Sequence, residues 1–237
     1  MPLVDVSPVF LSRQLLAGLG VAMTVQHQER LPAAGPVVLV VNHRSVLDIA
    51  LVMAALGRPV HFVCHRYMSQ APGLRELVGW LGCLPATSPW KLFQQARTYL
   101  SQGKIIGIFP EGGVPMVQTP AATGTAPFQS GFAHLTLRLS QLPVTLLPVA
   151  LTSQEEAVFH PFPVALLSLF DPTEPLFRSL GWHPMVVYRQ VEVRIGRPIR
   201  AEPSWYATYR RGDRQALVGE LTDRCQTEIQ GLLREES

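Results

Sequence analysis

The sequence predicts an α/β protein of a single domain, with a mostly parallel or mixed sheet flanked by helices. The 237 residues are 47% hydrophobic and only 16% charged, which suits one large core and excludes disorder. Short runs of β-branched residues alternate with stretches of helical periodicity. Two of these runs end abruptly in polar or glycine-rich segments, and such sheets carry their sites at the carboxyl ends of the strands.

The N-terminal segment predicts an amphipathic helix. Apolar residues recur at helical spacing between Val9 and Met23. We therefore divide the chain into an N-terminal amphipathic helix, residues 1–30, and a main domain, residues 31–237. Two roles stay open for the helix, since its apolar side could pack on the core or lie in a membrane interface as an anchor.

Two buried strands are the clearest elements of the main domain. Residues 36–41 form a continuous apolar run, and Ser45 then caps a predicted helix. Residues 104–109 repeat the pattern and close on Pro110-Glu111-Gly112-Gly113. The other elements follow from the same periodicities. We predict strands at 60–64, 144–151 and 191–195, and helices at 73–81, 90–102, 131–140 and 215–234.

Charge and composition narrow the classes of partner. Residues 1–109 carry nine Lys or Arg against four Asp or Glu, and eighteen of the twenty cations in the chain are Arg. This suits contact with anionic headgroups, although ordinary surface charge explains it equally well. No basic cluster alternates with aromatic residues, so we expect no nucleic-acid partner. No apolar run reaches the length of a spanning helix and no secretory pattern begins the chain. We expect a cytoplasmic, peripheral membrane protein.

The three cysteines, Cys64, Cys83 and Cys225, lack the spacing of a disulfide framework or a zinc site. We therefore expect small buried hydrophobic residues in a reducing compartment, no metal and no bound cofactor.

The first candidate motif is Asn42-His43-Arg44-Ser45-Val46-Leu47-Asp48. The strand ends here and the chain turns into a helix, so the Asp48 carboxylate can reach the His43 imidazole. A carboxylate on one ring nitrogen fixes the tautomer and leaves the other nitrogen as a general base for a hydroxyl. The alternative is a helix-capping Asp beside a surface His.

The second candidate motif is Phe109-Pro110-Glu111-Gly112-Gly113. Pro110 fixes a turn, the two glycines permit close approach of a ligand, and Glu111 can bind hydroxyl groups. Alone, the motif would be a turn with an exposed carboxylate.

Together the motifs resemble those of the glycerophospholipid acyltransferases, a family that includes the 1-acyl-glycerol-3-phosphate acyltransferases. Asn42, His43 and Asp48 match the first block, Asn-His, four residues, Asp. Residues 109–112 match the third block, Phe-Pro-Glu-Gly. Residues 147–151 match the fourth block, an apolar strand with Pro-Val, and the resemblance covers about residues 30–200 in order.

The resemblance implies an O-acyltransferase that moves a fatty acyl group from acyl carrier protein or coenzyme A to a lipid hydroxyl. It implies that His43 is the catalytic base and Asp48 its orienting residue, with direct attack and no acyl-enzyme. Asn42, Arg44, Glu111, Gly112 and Gly113 would bind substrate. The thioester is a co-substrate, and a membrane surface would hold the lipid acceptor.

Two departures from the family concern its phosphate-binding arginines. Gly113-Val114 stands where the third block continues Thr-Arg, and Thr87-Ser88 stands where the second block has Asp-Arg. Arg44, Arg66 and Lys91 are candidate replacements. An acceptor alcohol without phosphate, or a non-catalytic lipid-binding module of the same fold, are the alternative functions.

Residues 158–182 are rich in large apolar side chains but have no clean period. This segment is predicted to line an acyl channel or to contact the bilayer surface, with an irregular cover over the core as the alternative.

Overall fold

The protein is described by a computed structural model covering residues 7–70, 73–114, 117–118, 124–139, 141–178, 180–212 and 214–235. Seven α-helices and eight strands occur within these ranges. The helices are α1 Pro8–Gly18, α2 Asp48–Leu56, α3 Leu74–Trp80, α4 Pro89–Ser101, α5 Gly131–Arg138, α6 Pro203–Arg211 and α7 Arg214–Arg234. The strands are β1 Ala22–Gln26, β2 Val37–Val41, β3 Val60–Cys64, β4 Leu84–Pro85, β5 Ile105–Ile108, β6 Thr145–Phe159, β7 Met185–Ile195 and β8 Ile199–Arg200.

The strands form one mixed sheet in the order β1-β7-β6-β2-β5-β3-β4, with β8 on β6. The central strand β2 is parallel to both β5 and β6, and β3 is parallel to β5. The strands β6 and β7 form a long antiparallel pair beside this parallel block. The predicted α/β class with a mostly parallel sheet flanked by helices is confirmed.

Helices cover both faces of the sheet, which explains why β2 is entirely apolar. Alternate β2 residues face the two sides, with Val37 and Leu39 in one core cluster and Val38 and Val40 in the other. Helices α2 and α3 pack on the first side, and α4, α5 and α7 on the second. No β2 side chain is exposed, so polar groups can appear only after the strand ends.

The predicted N-terminal helix is present as α1, but it is shorter than predicted. Helix α1 ends at Gly18, and residues 22–26 form β1, a parallel partner of β7. Glycines at 18 and 20 weaken the helix, whereas β-branched Thr24 and Val25 suit the free edge of β7. One side of α1 packs on α2 through Leu16, while Phe10 and Leu15 remain exposed. Residues 1–6 lie outside the described ranges, and the division at residue 30 stays a prediction.

The other predicted elements are present, but several differ in their bounds, and β7 begins at Met185 rather than at residue 191. Helix α2 begins at Asp48 rather than after Ser45, because the Asp48 carboxylate accepts the Arg44 and Ser45 backbone N–H groups. Strand β6 extends to Phe159, beyond the apolar run. The segment that follows contains 3-10 turns at Val164–Leu169 and Pro175–Arg178. Residues 114–127 are rich in Thr, Ala, Pro and Gly, a composition that predicts a loop. Of these, residues 115–116 and 119–123 lie outside the described ranges.

Candidate active site

The site lies at the carboxyl edge of the parallel block. Strands β2, β3 and β5 end side by side, and the residues that follow them include His43, His65 and Phe109. All three line one cavity of about 890 Å³. Since parallel strands end at the same edge, segments distant in sequence converge there. The two motifs predicted to act together therefore do lie together.

His43 and Asp48 form the pair that the first motif predicts. The imidazole Nδ1 lies 2.9 Å from Asp48 Oδ2. The same oxygen accepts the backbone N–H groups of Arg44 at 2.7 Å and Ser45 at 2.9 Å. Because Asp48 Oδ2 accepts both N–H groups, it also acts as the acceptor toward the imidazole. His43 Nδ1 therefore carries the proton. The ring's Nε2 then has a lone pair and no hydrogen-bond partner in the described part of the chain.

Asp48 is fully buried and has a second support from β7. The Tyr188 hydroxyl donates to Asp48 Oδ1 at 2.7 Å. Burial, and then the charge of Asp48, raise the pKa of Tyr188 well above its ordinary value, so this hydroxyl keeps its proton and remains a donor. Sequence reasoning missed Tyr188, because one Tyr in a late strand carries no signal of this contact.

The His43 ring is also held by aromatic stacking. It lies on Phe109 with ring centroids 4.1 Å apart, and Phe109 lies on Phe62 at 4.7 Å. Phe62 in turn covers Gly107 of β5, where a Cβ atom would come within 2.4 Å of the ring. The first residue of the second motif thus fixes the plane of the His43 ring, and the glycine in β5 makes room for the stack.

Glu111 fixes the backbone at His43. Its carboxylate accepts the His43 N–H at 2.9 Å and the Ala126 N–H at 2.7 Å, and only 1% of the residue is exposed. Burial raises the pKa of Glu111, while these two hydrogen bonds oppose that shift. The next residue, Gly112, has φ +65°, and a Cβ there would lie 2.5 Å from the Gln129 amide. Glu111 joins the two motifs rather than projecting into the cavity.

The family comparison decides the class of this protein. A model of the family described as Acyltransferase matches residues 22–152, which is more than half of the chain and contains both motifs. The chain belongs to the acyltransferase family. The resemblance seen in the motifs is confirmed.

The fold of this acyltransferase is also found in a solved structure. It is similar to the 1-acyl-sn-glycerophosphate (LPA) acyltransferase PlsC from Thermotoga maritima, with a TM-score of 0.58 and 14% identity. The match covers 97% of this chain and 80% of that chain. At this identity the likeness concerns the fold. Among curated protein sequences no match to the chain was found.

The predicted substrate-binding residues fall into two groups. Arg44, Gly112 and Gly113 line the cavity with His43. Asn42 and Glu111 do not, since both are buried and bonded to backbone. The Asn42 amide donates to the Leu151 carbonyl at 3.1 Å and accepts its N–H at 2.7 Å. The Asn42 side chain therefore continues the pairing between β2 and β6 beyond the end of β2. It fixes the backbone directly before His43.

The three proposed replacements for the family arginines are placed differently. Arg44 lines the cavity but is paired with Glu156 at 2.7 Å. Arg66 is bonded to Asp171 and Thr173, and its guanidinium holds the pKa of Asp171 well below the usual range. Lys91 projects from an exposed position of α4 and does not line the cavity. None of these cations faces the cavity without a carboxylate partner.

Helix α5 contributes cavity residues that sequence reasoning missed. Gly131, His134, Leu135 and Arg138 all line the cavity, at the spacing of one helical face. This spacing is the signal that could have found them, since side chains on one face of a helix meet the same neighbour.

Within the described ranges, no helix combines the length and apolar character that crossing a membrane requires.

Proposed function

We propose that the protein transfers a fatty acyl group from an acyl thioester to a hydroxyl group of a lipid, with His43 as the general base. The observation that carries this proposal is the His43–Asp48 pair at 2.9 Å on the wall of an 890 Å³ cavity. Membership of the acyltransferase family and the fold shared with a lysophosphatidic acid acyltransferase support it.

The chemistry follows from the bare Nε2. The acceptor hydroxyl gives its proton to His43 Nε2 as its oxygen attacks the thioester carbonyl carbon. Asp48 stabilises the imidazolium that forms. When the tetrahedral intermediate collapses, the new ester C–O bond remains and the C–S bond breaks. The imidazolium returns the proton to the departing thiolate, so no acyl-enzyme is formed and the base is regenerated.

The cavity walls suit an acyl chain. Most lining side chains are aliphatic or aromatic, among them Ile49, Leu92, Phe93, Phe132 and Leu167. Burying such a chain from water contributes about 0.8 kcal/mol per CH₂ group. Gly112 and Gly113 line the same cavity, and because they lack side chains a substrate can approach their backbone closely.

The lipid acceptor reaches the site from a membrane surface in this proposal. Exposed apolar side chains of residues 158–185 form an apolar rim, consisting of Val158, Phe159, Leu166, Leu169, Leu180, Trp182 and Met185. Met185 and the neighbouring Leu167 and His183 also line the cavity. The rim therefore reaches the cavity at Met185, and exposed apolar side chains of this kind suit contact with the interface of a bilayer. A peripheral position on a cytoplasmic membrane surface is the corresponding location.

A phosphate-free lipid alcohol is the second candidate acceptor. Gly113-Val114 and Thr87-Ser88 replace the two family arginines, which removes two charge-assisted contacts to a phosphate. Purified protein should be incubated with acyl coenzyme A or acyl carrier protein and with lysophosphatidic acid or monoacylglycerol. Lipid mass spectrometry should show a product heavier than one acceptor by the acyl group. The opposite result is a thioester that is lost no faster than in buffer alone, for every combination of the two donors and the two acceptors. In that case only a non-catalytic lipid-binding module would remain as the function.

A further inference from the structure

A group of polar side chains around Tyr209 includes two residues of the cavity wall, Arg138 and His134 of α5. Among the described residues, two Arg and no Lys line the cavity, namely Arg44 and Arg138. Arg44 is paired with Glu156, whereas Arg138 makes no ion pair within the described ranges. Its Nε donates to the Tyr209 hydroxyl at 3.3 Å. The two terminal guanidinium nitrogens have no hydrogen-bond partner in that part of the chain.

His134 and Arg214 complete this group. His134 Nδ1 lies 3.0 Å from the Tyr209 hydroxyl, and the Arg214 guanidinium lies over the Tyr209 ring, 5.6 Å from its centroid. Desolvation, and then the charges of Arg138 and Arg214, lower the pKa of His134. A neutral His134 accepts the Tyr209 proton at Nδ1 and keeps a proton on Nε2. The cluster thus offers donors and positive charge.

Another part of the cavity wall carries a carboxylate. There His65 and Glu174 line the wall, with Glu174 Oε2 3.2 Å from His65 Nε2. The nearby Asp171 is buried and binds Arg66. Arg66 compensates the charge of Asp171, so Glu174 is the carboxylate that disfavours an anionic group on this part of the wall, whereas Arg138 favours one beside α5.

We infer that Arg138 and His134, held by Tyr209, form a phosphate-binding subsite for a substrate of the acyl transfer. This inference rests on the proposed function, because it assigns the subsite to that reaction. Phosphate is carried both by the phosphopantetheine arm of the thioester donors and by a lysophosphatidic acid acceptor. A planar guanidinium with two available edges suits a phosphate group.

The length of α5 favours the donor as the source of that phosphate. The helix begins beside the second motif, where the Gln129 N–H donates to the Pro110 carbonyl at 2.8 Å. Arg138 lies seven residues beyond Gly131, a rise of about 10 Å along the axis. In a lysophosphatidic acid only a few bonds separate the hydroxyl from the phosphate. The phosphopantetheine arm is long enough to place its thioester near His43 and its phosphate near Arg138.

Binding measured without turnover tests this subsite and does not depend on whether acyl transfer occurs. Calorimetry should compare phosphopantetheine with pantetheine, and short-chain lysophosphatidic acid with the corresponding monoacylglycerol. For Arg138→Gln we expect affinity for phosphopantetheine to fall about 10- to 100-fold, with pantetheine unaffected. Arg97→Gln, which removes an exposed arginine of α4 outside the cavity, should bind all four probes as the parent protein does.

The outcomes separate the two sources. A loss confined to phosphopantetheine assigns the subsite to the donor, and a loss confined to lysophosphatidic acid assigns it to the acceptor. Arg138→Lys, which keeps the charge, should retain part of the affinity. The inference is overturned if Arg138→Gln binds both phosphate probes with the parent's affinity, or if it loses the phosphate-free probes to the same extent.

Discussion

His43 is held from three directions, and each contact controls a different property of the imidazole. Asp48 sets the tautomer, the Phe109 ring sets the plane, and Glu111 fixes the backbone N–H of the residue. These contacts leave Nε2 as the ring nitrogen available to a substrate. The two motifs are therefore parts of one structure, although about sixty residues separate them in the sequence.

Asp48→Asn should lower kcat strongly while the protein still folds. The amide cannot act as an anionic acceptor for His43 and two backbone N–H groups, so the tautomer and the stability of the imidazolium are both affected. Loss of an oriented general base costs about 100-fold or more. Steady-state acyl transfer measures kcat, and circular dichroism checks the fold. A folded variant with the parent's kcat would contradict the orienting role.

Tyr188→Phe should have a smaller effect on turnover and a clear effect on stability. It removes the hydrogen bond to Asp48 Oδ1 and leaves a buried carboxylate oxygen without that donor. We expect a loss of about 1–3 kcal/mol in the free energy of unfolding and a reduction of kcat smaller than that of Asp48→Asn. Denaturant unfolding and kinetics on the same samples measure both, and an unchanged unfolding free energy would argue against the contact.

The raised pKa of Glu111 predicts how the free energy of unfolding depends on pH. Its pKa is raised in the folded protein, so above the usual pKa of a glutamate the folded state holds a proton that the unfolded chain has released. Its contribution to stability is present below the unfolded pKa and is lost as pH rises through the raised folded value. In Glu111→Gln this loss is absent, so the parent's unfolding free energy should fall more steeply with pH in that window, by at most about 1.4 kcal/mol per pH unit. Urea unfolding in small pH steps compares the two slopes, and parallel slopes would contradict the raised pKa.

Gly107 of strand β5 contacts Phe62, and Phe62 stacks on Phe109, which stacks on His43. A change in the packing of β5 should therefore move the His43 ring. In Gly107→Ala the new methyl group would lie 2.4 Å from the Phe62 ring, so Phe62 must move, and Phe109 and His43 with it. Overpacking of this kind costs about 1–3 kcal/mol. We expect a lower Tm together with a lower kcat.

A second substitution shows whether the stack carries this effect. Phe62→Leu in the Gly107→Ala background makes room for the methyl group and should restore part of the lost Tm. The matched control is Ile105→Val, which trims a core residue of the same strand outside the stack and should lower Tm with little change in kcat. If Gly107→Ala lowers Tm but leaves kcat at the control's value, the stack does not position the base.

Sequence patterns locate elements well where one physical signal dominates. Strand β2 is buried on both faces, so its apolar run is continuous and its bounds are predicted to within a residue. Strand β1 was missed because Ala22–Gln26 contains mixed residues, and its pairing with β7 depends on a strand some 165 residues later. The extension of β6 to Phe159 was missed for the same reason, since its partner is the early part of β7.

In the candidate site, too, contacts between residues close in sequence could be predicted and contacts from distant strands could not. His43 and Asp48 are close in sequence and follow a recognisable strand, so their contact could be predicted. Tyr188 and Phe62 reach the site from other strands, and their contacts depend on the tertiary register rather than on local spacing. Asn42 was predicted to touch substrate, but burial and pairing with Leu151 cannot be deduced from the motif.

The position of the apolar rim beside the cavity predicts how the whole molecule meets its substrate. Glutamate in place of both Leu169 and Trp182 should reduce binding to phospholipid vesicles by at least about tenfold, because two exposed apolar contacts are lost. Trp80→Glu, an exposed tryptophan of α3 outside the rim, is the matched control. Vesicle co-sedimentation measures both. Equal sedimentation of the rim variant and the parent would place the membrane contact elsewhere.

The base itself gives the sharpest test of acyl transfer. Purified His43→Gln, with its unfolding transition shown to match the parent's, should be assayed for acylated lipid formed from an acyl thioester and the acceptor that the parent uses. We expect the rate to fall about 100-fold or more, with the donor and acceptor still bound. A folded His43→Gln protein that forms product at the parent's rate would contradict the mechanism proposed for this acyltransferase.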